Sequence, residues 1–143
     1  MTSYQNTLEH SVQATKEWTG QINNLMDWND PDRSYRLLRV TLHALRDVLP
    51  INESAQFSAQ LPMMIRGLFY EGWRPSTIPV KKRDKASFIA RIQESFSREP
   101  LDDPEQAIGA IFLVLNRHVS KGEIEDVRNS LQQPLREIWP PIS

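Results

Sequence analysis

Residues 37–69, LLRVTLHALRDVLPINESAQFSAQLPMMIRGLF, set above residues 107–139, AIGAIFLVLNRHVSKGEIEDVRNSLQQPLREIW, align without a gap at an offset of 70. Apolar positions fall on apolar positions: Leu38 on Ile108, Val40 on Ala110, Leu42 on Phe112, Ala44 on Val114, Leu45 on Leu115 and Leu49 on Val119. The match continues with Phe57 on Val127, Leu61 on Leu131, Ile65 on Leu135, Leu68 on Ile138 and Phe69 on Trp139. Two charged positions coincide as well, Glu53 with Glu123 and Arg66 with Arg136. Few letters are shared, so the pattern carries the reading. It predicts two tandem helical units whose apolar faces have only each other to cover them, closed as a pseudo-twofold globule and not extended as a solenoid.

The punctuation around these stretches repeats too. Asp30-Pro31-Asp32 supplies a cap, a proline at the first helical position where its missing N–H is harmless, and an acid near the helix's positive end. Asp103-Pro104-Glu105 does the same at an offset of 73, so the second long helix is about one turn shorter. The first long helix carries the stripe Tyr35, Leu38, Leu42, Leu45 and Leu49 and stops at Pro50. Asn52 is expected to cap a short helix ending near Gln60. Pro62 opens another, MMIRGLFYEG, which Gly72 ends in a left-handed conformation.

Residues 73–79, with Pro75 and Pro79, form a connector. Phe88, Ile89, Ile92 and Phe96 predict a linking helix over about 84–97. Ser120-Lys121-Gly122-Glu123 has capping-box spacing and opens a helix through Leu131, and a short last helix holds Leu135, Ile138 and Trp139.

Upstream, Tyr4, Leu8, Val12, Trp18, Ile22 and Leu25 recur at steps close to three and four, which predicts a first helix over 3–26 with one apolar face. This helix lies outside the paired units. It either caps their core or docks as an amphipathic arm on a partner or a second copy, and an arm would leave Trp18 and Trp28 partly exposed. No segment alternates like a half-buried strand. The expected fold is all-α: one domain over 1–143, with the first helix at 3–26, unit one at about 30–73, the linking helix at about 84–97 and unit two at about 103–139.

A chain of 143 residues buries roughly 68–70% of its unfolded surface without a staple. With no cysteine, disulfides, thiolate zinc sites and a cysteine nucleophile are excluded, which suits a reducing compartment. Neither a secretory leader nor an apolar run of about 20 residues is visible, so the expected location is cytoplasmic, with no membrane partner. Seventeen Lys and Arg against eighteen Asp and Glu leave a net charge of −1, so no global field steers the chain to nucleic acid.

The run HALRDVLPINESAQFSAQLPMMIRGLFYEGW, His43 to Trp73, resembles the signature of an uncharacterised, mostly bacterial family, domain-of-unknown-function family 2267. RHVSKGEIEDVRNSLQQPLREIWP, Arg117 to Pro140, is similar to that family's second half, and Trp28-Asn29-Asp30 with Tyr35 fits its opening segment. The resemblance implies a small helical domain in cytoplasmic bacterial proteins, and it transfers no activity and no catalytic residue.

Arg66-Gly67-Leu68-Phe69-Tyr70-Glu71-Gly72-Trp73 gathers aromatics, opposite charges and two glycines. As a partner-binding surface it would use Tyr70 and Trp73 as rigid anchors and Arg66 and Glu71 as polar contacts. As structure, Phe69 and Trp73 are core, Gly67 permits close helix packing and Arg66 pairs with an acid, and the coincidence of Arg66 with Arg136 favours a structural role for the arginine. Arg74, Lys81, Lys82, Arg83 and Lys85 form a basic cluster able to hold phosphates, but Asp84 interrupts it and no stacking aromatic lies within it. None of His10, His43 and His118 lies one turn from another histidine, as a helical metal pair requires. His118 with Glu123, Glu125 and Asp126 would make a nitrogen-and-oxygen site, yet those acids suit a helix start, so no metal and no cofactor is expected.

No paired-carboxylate, nucleophile-elbow or phosphate-loop pattern marks an enzyme. The sequence predicts no definite function. Its first reading is a non-catalytic cytoplasmic interaction domain that binds a protein partner or itself. The alternative is a nucleic-acid-binding or regulatory module using Lys81, Lys82, Arg83 and Lys85, and the third is a small-ligand carrier or enzyme.

Overall fold

Two aspartates start the two central helices. Asp30 accepts the backbone N–H of Arg33 at 3.1 Å and Asp103 that of Gln106 at 3.1 Å, with proline next in the chain each time. The computed structural model describes residues 3–142. Its helices are α1 (Tyr4–Met26), α2 (Pro31–Val48), α3 (Ile51–Ser58), α4 (Met63–Tyr70), α5 (Lys85–Glu94), α6 (Pro104–His118), α7 (Lys121–Asn129) and α8 (Gln133–Arg136), with a 3-10 turn at Pro75–Thr77 and no strand among the described residues. The fold is all-α and compact. No helix among the described residues is long and apolar enough to cross a membrane.

Helix α2 packs on α6, α3 on α7, and α1 lies across α2, α4 and α6. Leu38, Leu42 and Leu45 of α2 and Ile108, Phe112 and Leu115 of α6 are fully buried in one continuous core. Phe112 stacks on Trp139 with ring centres 3.9 Å apart, and Phe57 meets Phe69 at 5.5 Å.

The offset of 70 carries into the hydrogen bonds. Arg66 donates to the carbonyls of Ser58, Ala59 and Leu61, and Arg136 donates to those of Arg128, Asn129 and Leu131. Each arginine ties its own helix to the turn before it. Arg46 donates to the carbonyls of Phe69 at 3.0 Å and Glu71 at 2.6 Å, while Asn116, 70 residues on, donates to those of Pro140 at 3.1 Å and Pro141 at 3.5 Å. A helix end leaves carbonyls without intrahelical partners, and here α2 and α6 supply the donors.

Several local expectations need correction. Pro50 occupies the cap of α3 and Asn52 lies inside its first turn. The linking helix stops at Glu94, because the chain turns back through Ser95 and Phe96 to bury the Phe96 ring. Helix α8 ends at Arg136, and Ile138 and Trp139 follow in turns.

The apolar positions of α1 do not share one face. Its buried residues are Ser11, Thr15, Trp18 and Ile22, whereas Tyr4, Leu8 and Val12 are exposed. A row at steps of four drifts about 40° per step on a helix of 3.6 residues per turn, so it swings off the core side. Small Ser11 and Thr15 fill that side instead. Ser11 Oγ accepts the backbone N–H of Met64 at 2.7 Å, which caps α4 from another helix where Pro62 offers no side-chain cap. Trp18 is 2% exposed and stacks on His118 at 4.7 Å, so this part of α1 is a structural cover, while Trp28, just past its end, is only half-buried.

Candidate functional site

Sequence reasoning singled out the end of α4, and the structure gives its residues different jobs. Arg66 spends its guanidinium on three backbone carbonyls, which takes it out of the set of polar contacts free for a partner. Tyr70 is half-buried, with Oη 2.6 Å from Ser58 Oγ and its ring edge-on to Phe69. Trp73 leans on Tyr70 at 5.1 Å, and its indole Nε1 is buried without a protein acceptor. Glu71 is exposed and accepts from Arg39 at 2.6 Å. His43 lies beneath, with Nε2 2.8 Å from the Leu68 carbonyl, and burial holds its pKa below the ordinary histidine value.

A groove leads from this corner across the first half of the molecule. One cleft of about 330 Å³ is lined by Thr15, Tyr35, Met64, Leu68, Tyr70 and Glu71. A second, of about 450 Å³, shares Thr15, Tyr35 and Met64 with it and continues past Val12, Lys16 and Asp32. On the other side of α1, a cleft of about 580 Å³ runs between His10, Ser11, Pro62, Met63 and Arg66. Tyr4, Leu8, Val12, Tyr35, Met63 and Met64 are all exposed, and among the described residues Ile51 alone joins them as an exposed large apolar side chain. Isolated exposed apolar residues need no explanation, but Val12, Tyr35 and Met64 line one groove together, and such a gathering marks an interaction surface. Sequence reasoning missed Tyr35, Met63 and Met64 because their periodicity assigns them to helix faces without saying which faces meet water.

A second unusual place lies where α3 meets α7. Glu53 and Glu123 stand at the same position in the first turn of their helices, three residues past the caps Pro50 and Ser120. The capping box is only half made: Ser120 Oγ accepts the Glu123 N–H at 3.4 Å, but Ser120's own N–H goes to Gln60 Oε1 at 2.8 Å. Freed from capping, Glu123 is 7% exposed and faces Glu53. Burial, then the hydrogen bond and repulsion from Glu53, push its pKa up to about 8. The signal in the sequence was the coincidence of the two glutamates at an offset of 70.

The remaining candidates are dispersed. Arg74, Lys81, Lys82 and Arg83 are exposed along the connector, while Lys85 pairs with Glu105 at 2.9 Å and is drawn out of the cluster. His118 stacks on Trp18 and meets Gln21 Oε1 at 3.1 Å, so the nitrogen-and-oxygen arrangement with Glu123, Glu125 and Asp126 does not form. Burial lowers the His118 pKa as well.

These helices define a class, the small all-α domain with no chemistry announced by its fold. A family model described as an uncharacterized conserved protein, domain-of-unknown-function family 2267, matches residues 15–138, and the chain belongs to that family. No curated protein matches the chain.

Proposed function

We propose that this domain is a non-catalytic interaction module, acting in the cytoplasm, that holds a protein partner in the groove between α1, α2 and α4. One observation carries the reading: three exposed large apolar side chains, Val12, Tyr35 and Met64, line that groove together. Tyr70 and Glu71 stand at one end of the groove, where an aromatic ring and a carboxylate supply orientation at the margin of an apolar floor. Methionine suits such a floor because its unbranched side chain repacks around different partners. The matched bonds of Arg66 and Arg136 support a tandem origin for the two halves, with the groove added on the first half and α1.

The test is capture of the tagged protein from its native cell after mild cross-linking, scoring proteins and nucleic acids together. A partner protein lost on Tyr35→Glu with Met64→Glu, and retained on charge reversal of Lys81, Lys82 and Arg83, supports the module. Nuclease-sensitive nucleic acid lost on that charge reversal, with no protein dependent on Tyr35 and Met64, overturns it in favour of the basic connector.

A further inference from the structure

The acids between α3 and α7 raise a separate question. One carboxylate oxygen each from Glu53, Glu123 and Asp126 lie within 4.8 Å of one another. Apart from the contact between the two glutamates themselves, the Oε2 atoms of Glu53 and Glu123 are buried with no hydrogen-bond partner, and the Glu123 side chain carrying one of them is 7% exposed. Among the described residues, no Lys, Arg or His pairs with any of the three. Buried carboxylates are ordinarily paired with a base or coordinated to a metal. This cluster has buried carboxyl oxygens and an open side to solvent, and it lacks the base.

We propose that Glu53, Glu123 and Asp126 bind a hard divalent cation of the calcium and magnesium class and thereby clamp α3 to α7. An all-oxygen set selects that class over zinc or copper, which prefer nitrogen and sulfur. The spacing fits. Two oxygens on opposite sides of a calcium ion, each about 2.4 Å from it, lie about 4.8 Å apart, and ligands at smaller angles lie closer. Asp126 is exposed, so water completes the coordination from the solvent side. Glu53 comes from the first half and Glu123 with Asp126 from the second, so the ion would join two segments that otherwise meet through packing and the Gln60–Ser120 hydrogen bonds. This inference is independent of the groove.

The probes are calcium, magnesium and manganese chlorides, each added alone to the chelator-treated 143-residue chain at constant ionic strength. The expected result is a saturable rise in Tm with at least one of them, lost in Glu123→Gln and weakened at least tenfold in apparent affinity in Asp126→Asn. Asp126 is exposed, so its variant keeps the test valid should Glu123→Gln fold poorly. Direct cation binding to the native protein by calorimetry reads the same dependence without unfolding. No saturable rise with any of the three ions, or a rise of equal size and midpoint in both variants, overturns the site and leaves a carboxyl pair sharing a proton.

Discussion

Arg46 and Asn116 do the same work in the two halves with different chemistry. Each holds the chain that follows its short helix, but Arg46 is a buried cation that also engages Asp47 at 2.8 Å, whereas Asn116 is a neutral amide whose Oδ1 also takes the indole N–H of Trp139 at 2.6 Å. Around Arg46 the first half places Arg39, His43 and Glu71, and the matching positions in the second half are Gly109, Leu113 and Pro141. The groove residues behave likewise: Tyr35, Met64 and Tyr70 match Glu105, Pro134 and Pro140. Where both halves make the same bonds, the residues serve the fold; where one half has side chains without counterpart, the fold does not require them and recognition has room to act.

The largest effects test whether the halves share the core equally. Phe69→Ala and Trp139→Ala each remove a buried ring and should each cost about 3–5 kcal/mol in denaturant unfolding. A cost in one more than twice that in the other would break the equivalence. Next come the polar ties. Arg46→Ala strands buried carbonyls once paired with a charge and should cost about 2–3 kcal/mol, against about 1–2 kcal/mol for Asn116→Ala. Arg66→Ala and Arg136→Ala should destabilise by matching amounts near 1–2 kcal/mol, and unequal losses would separate the two units.

A pH series sharpens the comparison at Glu123. The unfolded chain releases that proton near the ordinary value of 4.5, and the folded chain holds it to about 8. Between those values the folded state binds the extra proton, so stability falls as pH rises through the window. In chelator, Tm of the wild type should therefore drop from pH 5 to pH 8 more than that of Glu123→Gln, which has no proton to lose there. Equal slopes would mean that Glu123 ionises as it does in the unfolded chain.

The all-helical fold was legible because its cues are local: Asp-Pro starts, Pro50, the left-handed Gly72 at φ 71°, and apolar spacing that the buried residues of α2 and α6 reproduce, exposed Tyr35 apart. What the sequence hid depends on neighbours. The spacing of Tyr4, Leu8 and Val12 predicts a helix correctly, yet which side meets the core is decided by small Ser11 and Thr15 against α4. Glu123 reads as a capping residue until Gln60, distant in sequence, takes the Ser120 N–H and releases it. Of the partner-binding set, Arg66 matched a residue of the other half and proved to be bonded within the chain, while Tyr70 and Glu71 lie on a groove whose centre, Tyr35 and Met64, emerges only when three helices assemble.

The most direct measurement places a photo-crosslinking aromatic residue at position 35 in the groove or at position 105, its counterpart in the second half, and irradiates the native cells. Both positions are exposed, and substitutions there should move stability by no more than about 0.5 kcal/mol. A discrete protein adduct from position 35 and none from position 105 is the predicted result. Adducts of equal yield from both positions, or none from position 35, would contradict the assignment of recognition to the face that only one half possesses.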